Sequence, residues 1–117
     1  MRARLISFGR IEVEGQSYDH DVVIDAGVVR RRSKKPSKPY RDRFDHTPLS
    51  AREDIPWSSP RLVIGSGASG QLPVMDEVFV EAERRGVEVV VLPTQDACQQ
   101  LADEPRDQVC AILHVTC

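Results

Sequence analysis

Gly65, Gly67 and Gly70 in the stretch RLVIGSGASGQLPV stand at the spacing G-x-G-x-x-G, after a short apolar run and before a helical one. In a dinucleotide-binding protein that spacing lets the backbone approach a pyrophosphate, which the N-terminus of the following helix then meets. Two neighbouring features oppose this chemistry. Pro73 holds Leu72 extended and moves the expected helix start to about Pro73, beyond the last glycine. Leu92-Pro93-Thr94 occupies the end of the next strand, where an acidic residue would hold a ribose. No nucleotide cofactor is therefore expected. Two readings of the loop stay open: the glycines turn the chain sharply out of a buried strand, or Gly65, Ser66, Gly67 and Gly70 join Thr94 and His114 in a small pocket for an anion or polar ligand.

Other residues invite chemistry less strongly. Cys110, His114 and Cys117 suggest a metal site, but on a strand Cys110 and His114 share one face while Cys117 points to the other, and four ligands are not supplied. No metal is expected. Ser66 and Ser69 lack the G-x-S-x-G frame of a nucleophile elbow, and Cys117 lies in a terminal segment expected to be mobile. No catalytic residue is assigned. Thr94 reads as a helix cap, and Asp76 and Glu77 as complements to the helix dipole.

A basic run from Arg30 to Arg43 holds half of the sixteen Lys and Arg residues of the chain, against a formal net charge of −2. With Tyr40 and Phe44 beside it, the run has the ingredients for phosphate neutralisation and base stacking. The overall acidic balance, with an isoelectric point near 5.9, opposes a nucleic-acid role. A solvated loop remains, or a docking surface for an acidic protein partner built on Arg30, Arg31, Arg32, Lys34 and Lys35.

These residues need elements to position them. At 117 residues the chain suits one domain with one core, residues 1–117. No apolar run approaches a membrane span and the first ten residues lack the apolar stretch of a signal peptide, so a cytoplasmic protein is expected. Three cysteines, Cys98, Cys110 and Cys117, agree with a reducing compartment. Ile6, Phe8, Ile11 and Val13 alternate with polar positions, and turns at Gly15 and Ala26-Gly27 complete a set of antiparallel strands over residues 1 to 32. Five prolines between 33 and 60 preclude long regular structure, although Ser50-Ala51-Arg52-Glu53 has the capping-box pattern of a short helix. From Leu62 onward the pattern is strand, helix (Pro73 to Arg85, closed by Gly86), strand (VEVVVL), helix (Thr94 to about Ala102) and strand (VCAILHV). That is a βαβαβ unit, with VEVVVL and VCAILHV expected at the centre of its sheet.

Phe8-Gly9, His46, Gly65-Ser66-Gly67, Thr94 with Ala97, and Leu113-His114-Val115-Thr116-Cys117 follow one another along nearly the whole chain. In this order they resemble the adipogenesis-associated Mth-domain family, small proteins that include mitochondrial respiratory complex I assembly factors. The resemblance implies a three-layer α/β fold with a mixed central sheet. It implies roles in protein assembly and gene regulation for eukaryotic members and no established chemistry for most. Leu101-Ala102 replaces the aromatic residue and Asn common in the family, and a mitochondrial presequence is not seen, so neither the contact nor the organelle is carried over. The expectation is a non-catalytic binding or assembly module. Its rival is a protein that binds an anion or small molecule, or a small enzyme, using the glycine-loop pocket. Oligomeric state is not legible.

Overall fold

The computed structural model describes residues 1–117. β1 (Ala3–Ser7), β2 (Arg10–Val13) and β3 (Gln16–Tyr18) form an antiparallel three-stranded sheet, and β4 (Val22–Asp25) with β5 (Val28–Arg31) form a further hairpin. Glu14-Gly15 and Ala26-Gly27 at the hairpin tips all have positive φ. Two such residues match the right-handed twist of the flanking strands, and glycine in the second position avoids a Cβ clash. The alternation seen around Gly9 divides between faces. Ile11 and Val13 are buried, whereas a bulge between Leu5 and Ser7 leaves Ile6 and Phe8 exposed and turns Ala3 and Leu5 to the core.

β6 (Arg61–Gly65), β7 (Glu88–Leu92) and β8 (Val109–Leu113) join β4 and β5 in a five-stranded mixed sheet of order β5-β4-β8-β6-β7. β6 runs parallel to both β7 and β8, and β4 antiparallel to β8. β8 is central and wholly buried, as its apolar sequence requires. β7, expected beside it, is instead the edge strand with Val91 partly exposed, and β6 takes the interior place. A run of valines favours the strand conformation whether one face or both are covered, so the apolar run alone misplaces it.

The core lies on both faces of this sheet. On one, α3 (Thr94–Ala102) and the three-stranded sheet bring Ile11, Val13, Ala97 and Leu101 against Val63 and Leu113. On the other, α2 (Asp76–Arg85) brings Val78 and Ala82, with Leu49 and Ile55, against Leu62, Ile64 and Ile112. The result is the expected three-layer α/β arrangement. α2 begins three residues later than Pro73 because residues 73 to 75 are engaged elsewhere: Leu49 N–H donates to the Pro73 carbonyl and Met75 N–H to the Leu49 carbonyl. Between the halves, Lys35–Tyr40 forms a 3-10 helix continued by α1 (Arg41–Phe44).

Candidate functional site

The N–H groups of the glycine loop can be followed one by one. Ser66 donates to the Leu92 carbonyl, Gly67 to Thr94 Oγ1 (2.8 Å), Gly70 to the Gly67 carbonyl and Leu72 to that of Ser66. Ala68 donates to the Thr116 carbonyl at 2.7 Å, and Ser69 and Gln71 to the Cys117 carbonyl at 3.3 and 2.9 Å. No N–H from Ser66 to Leu72 is left for a phosphate. The loop receives the chain's own 114–117 segment, and this corrects the expectation of a backbone-lined ligand pocket at Gly65 to Gly70. Thr94 is likewise neither cap nor ligand contact. Pro93 occupies the N-cap position, and the buried Thr94 hydroxyl donates to the His114 carbonyl at 2.6 Å while accepting from Gly67. Gly65 is small because a Cβ there would stand 2.8 Å from Thr94 Oγ1.

The same segment enters a buried polar network. His114 Nδ1 lies 2.8 Å from Asp21 Oδ2, Val115 N–H donates to Asp21 Oδ1 at 2.9 Å, and His114 Nε2 lies 3.2 Å from Thr116 Oγ1. Arg32 Nη1 donates to Asp21 Oδ2 at 2.8 Å, while its Nε and Nη2 grip Glu53 Oε1 and Oε2, each at 2.8 Å. Ser37 Oγ completes the set on Glu53 at 2.5 Å and sits 2.7 Å from Ser50 Oγ. Arg32 is only 6% exposed, so its guanidinium is a structural cross-link and is removed from the expected partner-binding surface. The Ser50-to-Glu53 capping box is corrected for the same reason. Both side chains face Ser37 and Arg32, and the segment forms a turn.

Above this network lies a cleft of about 370 Å³ lined by Lys34, Lys38 and Arg41 with His46 and His114, and Asp45 is its one acidic side chain. Lys34, Lys38 and Arg41 are exposed and none forms an ion pair. The two sets of residues singled out in the sequence thus share one site: Lys34 comes from the basic run and His114 from the glycine-loop set. The rest of the run disperses. Arg30 pairs with Asp54 at 3.4 Å, Arg31 lines a second cavity with Asp19 and Val115, and exposed Lys35 lies in neither. Arg52 and Arg43 lie over one face of the half-buried Tyr40 and Phe44 rings, at 6.0 and 5.4 Å. Asp21, Lys38, Arg41 and Thr116 were not assigned to a site from sequence. Lys38 and Arg41 stood in the basic run, but Asp21 meets His114 across 93 positions with no local signal. A larger cavity of about 540 Å³ lies by the hairpins, where Arg4 and Glu12 partly neutralise each other.

Asp21 gives the network a pH dependence. Burial acts to raise its carboxyl, but the hydrogen bond and charge of His114, the Val115 N–H and the Arg32 charge together lower it from 3.8 to about 2. A depressed carboxylate stabilises the fold above its unfolded value and loses that contribution as pH falls through its folded one. Urea unfolding at stepped pH should show roughly 2 kcal/mol of stability lost from this group between about pH 5 and 2. Asp21→Asn should lack that part of the slope. An unchanged slope would assign the acid sensitivity to other carboxylates.

Fold and cleft together define a small three-layer α/β protein with a cationic cleft and no helix long and apolar enough to cross a membrane. The chain belongs to the DUF498/DUF598 family of proteins of unknown function, whose model matches residues 4–114. It is similar over 100% of both chains to a conserved hypothetical protein from Pyrococcus horikoshii OT3, with 28% identity and a TM-score of 0.78. It is also similar to the protein MT938, at 25% identity and a TM-score of 0.76 over 99% of this chain and 98% of that one. An outer membrane protein from Bartonella henselae shares the fold alone, at 15% identity and a TM-score of 0.62 over 98% of this chain and 96% of that one. No curated protein matches the chain.

Proposed function

We propose that the protein is a binding or assembly module whose working part is the cationic cleft, and that the cleft recognises an anionic group on a protein partner. One observation carries this: three unpaired cations, Lys34, Lys38 and Arg41, line one cleft in which Asp45 is the single acidic side chain, in a chain of net charge −2. Uncompensated like charges at close range repel, so an arrangement that retains them favours an anionic occupant. The resemblance to the adipogenesis-associated Mth-domain family, with its assembly factors, supports an assembly role. On this reading residues 1–117 act as one Mth-type domain. The three unpaired cysteines support a reducing compartment such as the cytoplasm.

Thermal shift with pyrophosphate and with an oligoglutamate peptide provides the test. A ligand at 100 times its Kd adds about 2.7 kcal/mol. Lys34→Glu/Lys38→Glu/Arg41→Glu should abolish the shift and, because these side chains are exposed, change the unliganded stability by about 0.5 kcal/mol or less per site. Shifts that survive the triple reversal would place binding outside the cleft, and absence of any shift in the native protein would count against an anion site.

A further inference from the structure

We propose that Thr116 is a hydroxyl nucleophile for acyl transfer, activated by His114 as general base with Asp21 as its positioning residue, and that esters of small acids are its substrate class. This goes beyond binding and rests on the geometry of Asp21, His114 and Thr116, with Lys34 the one residue it shares with the cleft's cations.

An ionised carboxylate only accepts hydrogen bonds, so when His114 acts as a base its one ring proton sits on Nδ1, facing Asp21 Oδ2 at 2.8 Å. Nε2 then presents its lone pair to Thr116 Oγ1 at 3.2 Å. Nucleophile, base and orienting carboxylate stand in the order that hydroxyl activation requires. Arg32 does not use up the Asp21 charge, because the bidentate Glu53 neutralises Arg32 from its other side. One negative charge remains to stabilise an imidazolium on His114.

Placement is equally defined. His114 N–H donates to the Gly65 carbonyl and its own carbonyl accepts from Thr94. The Val115 carbonyl accepts from Gly9 and the Thr116 carbonyl from Ala68. The expectation of a mobile terminal segment is thereby corrected, and the glycine loop acquires a role as the clamp that holds base and nucleophile. Thr116 is half-buried and borders both the 370 Å³ cleft and a second cavity of about 210 Å³. Lys34 and Arg32 line both cavities as well. The Lys34 ammonium, free of ion pairs, is available for the charge that develops on a carbonyl oxygen.

In the first step Thr116 Oγ1 forms a bond to the ester carbonyl carbon and its proton passes to His114 Nε2. The bond from carbon to the alkoxy oxygen breaks, and the alcohol leaves with that proton. Water then attacks the acyl-threonine with His114 again as base, releasing the acid and restoring the hydroxyl. No oxidant or co-reactant besides water is needed.

Treatment of the full chain with 4-nitrophenyl acetate tests the proposal. A burst of nitrophenol and an acetyl group mapped to Thr116 by mass spectrometry are expected. Thr116→Val and His114→Gln should slow acylation about 100-fold or more, whereas Thr116→Ser should retain it, with circular dichroism confirming that each variant is folded. Nitrogen chemical shifts should show His114 protonated on Nδ1. Acetyl groups found only on lysines or Cys117, nitrophenol release indifferent to Thr116→Val, or a proton on Nε2 would each overturn it and leave a merely structural hydrogen bond. Because this ester is neutral, its outcome is separable from that of the anion cleft. Acetylated Thr116 with no advantage for the anionic mono-4-nitrophenyl succinate would overturn the cleft alone. Pyrophosphate binding without acylation would overturn the nucleophile alone.

Discussion

Arg32→Ala is expected to destabilise the protein by about 3–5 kcal/mol, the cost of breaking a buried ion pair by removing one partner. For a domain whose total stability is of order 5–15 kcal/mol, that is a large share. The cost arises mainly at Glu53. Asp21 would keep His114 and the Val115 N–H, but Glu53, with a side chain 3% exposed, would retain only the Ser37 hydroxyl. A carboxylate left in that position has lost the solvent and received no cation in exchange. Arg32 also ties together three segments distant in sequence, the turn before β4, the end of β5 and the loop from Pro48 to Glu53, so its removal frees all three. Urea unfolding followed by the fluorescence of the one tryptophan, Trp57, provides the measurement. Arg32→Met combined with Glu53→Met should recover much of the loss, since a matched apolar pair leaves no buried charge without a partner. If Arg32→Ala costs no more than about 1 kcal/mol, as an exposed pair would, the network is hydrated and Arg32 belongs with the surface cations after all.

The frame of the fold was legible because it rests on local signals. β6, α2, β7, α3 and β8 follow from apolar periodicity, and the two hairpins from Gly15 and Gly27, each a short-range property of the chain. What failed was whatever depends on distant partners. VEVVVL carries no mark of lying at a sheet edge. Ser50 and Glu53 at capping-box spacing satisfy a helix end equally well in sequence, but Ser37 and Arg32 compete for them in the folded chain and win. Thr94 has the sequence setting of a cap because the next residues are helical, yet its hydroxyl faces Gly67 and His114. The site divides the same way. Lys34 and His114 were each singled out for a different chemistry, and only folding places them in one cleft. Asp21 stands in an ordinary turn-to-strand transition, and nothing near it in sequence announces the histidine 93 positions away.

Gly67 combines the local and the distant, and Gly67→Ala is expected to destabilise the protein by about 3 kcal/mol or more. Its φ of +109° is one that side chains with a Cβ rarely adopt, and the added Cβ would stand 2.3 Å from the backbone carbon of Cys117 and 2.7 Å from the Thr116 carbonyl oxygen. Those atoms are backbone, so they cannot rotate aside as a side-chain tip can. Relief requires either the loop or the 114–117 segment to withdraw, which breaks the bonds from Ala68, Ser69 and Gln71. Gly86 is the control: its φ is +69° but no atom lies within 4 Å of its Cβ position, so Gly86→Ala should cost only about 1 kcal/mol from backbone strain. Amide hydrogen exchange would distinguish the two, with protection lost at Ala68 and Gln71 in Gly67→Ala and retained in Gly86→Ala. A loop built for nucleotide phosphates would behave differently, losing ligand affinity on substitution of Gly67 while keeping its unliganded stability. Equal costs at the two glycines, with exchange at Ala68 unchanged, would mean that the 114–117 segment does not occupy the loop, and would reopen its N–H groups to a ligand.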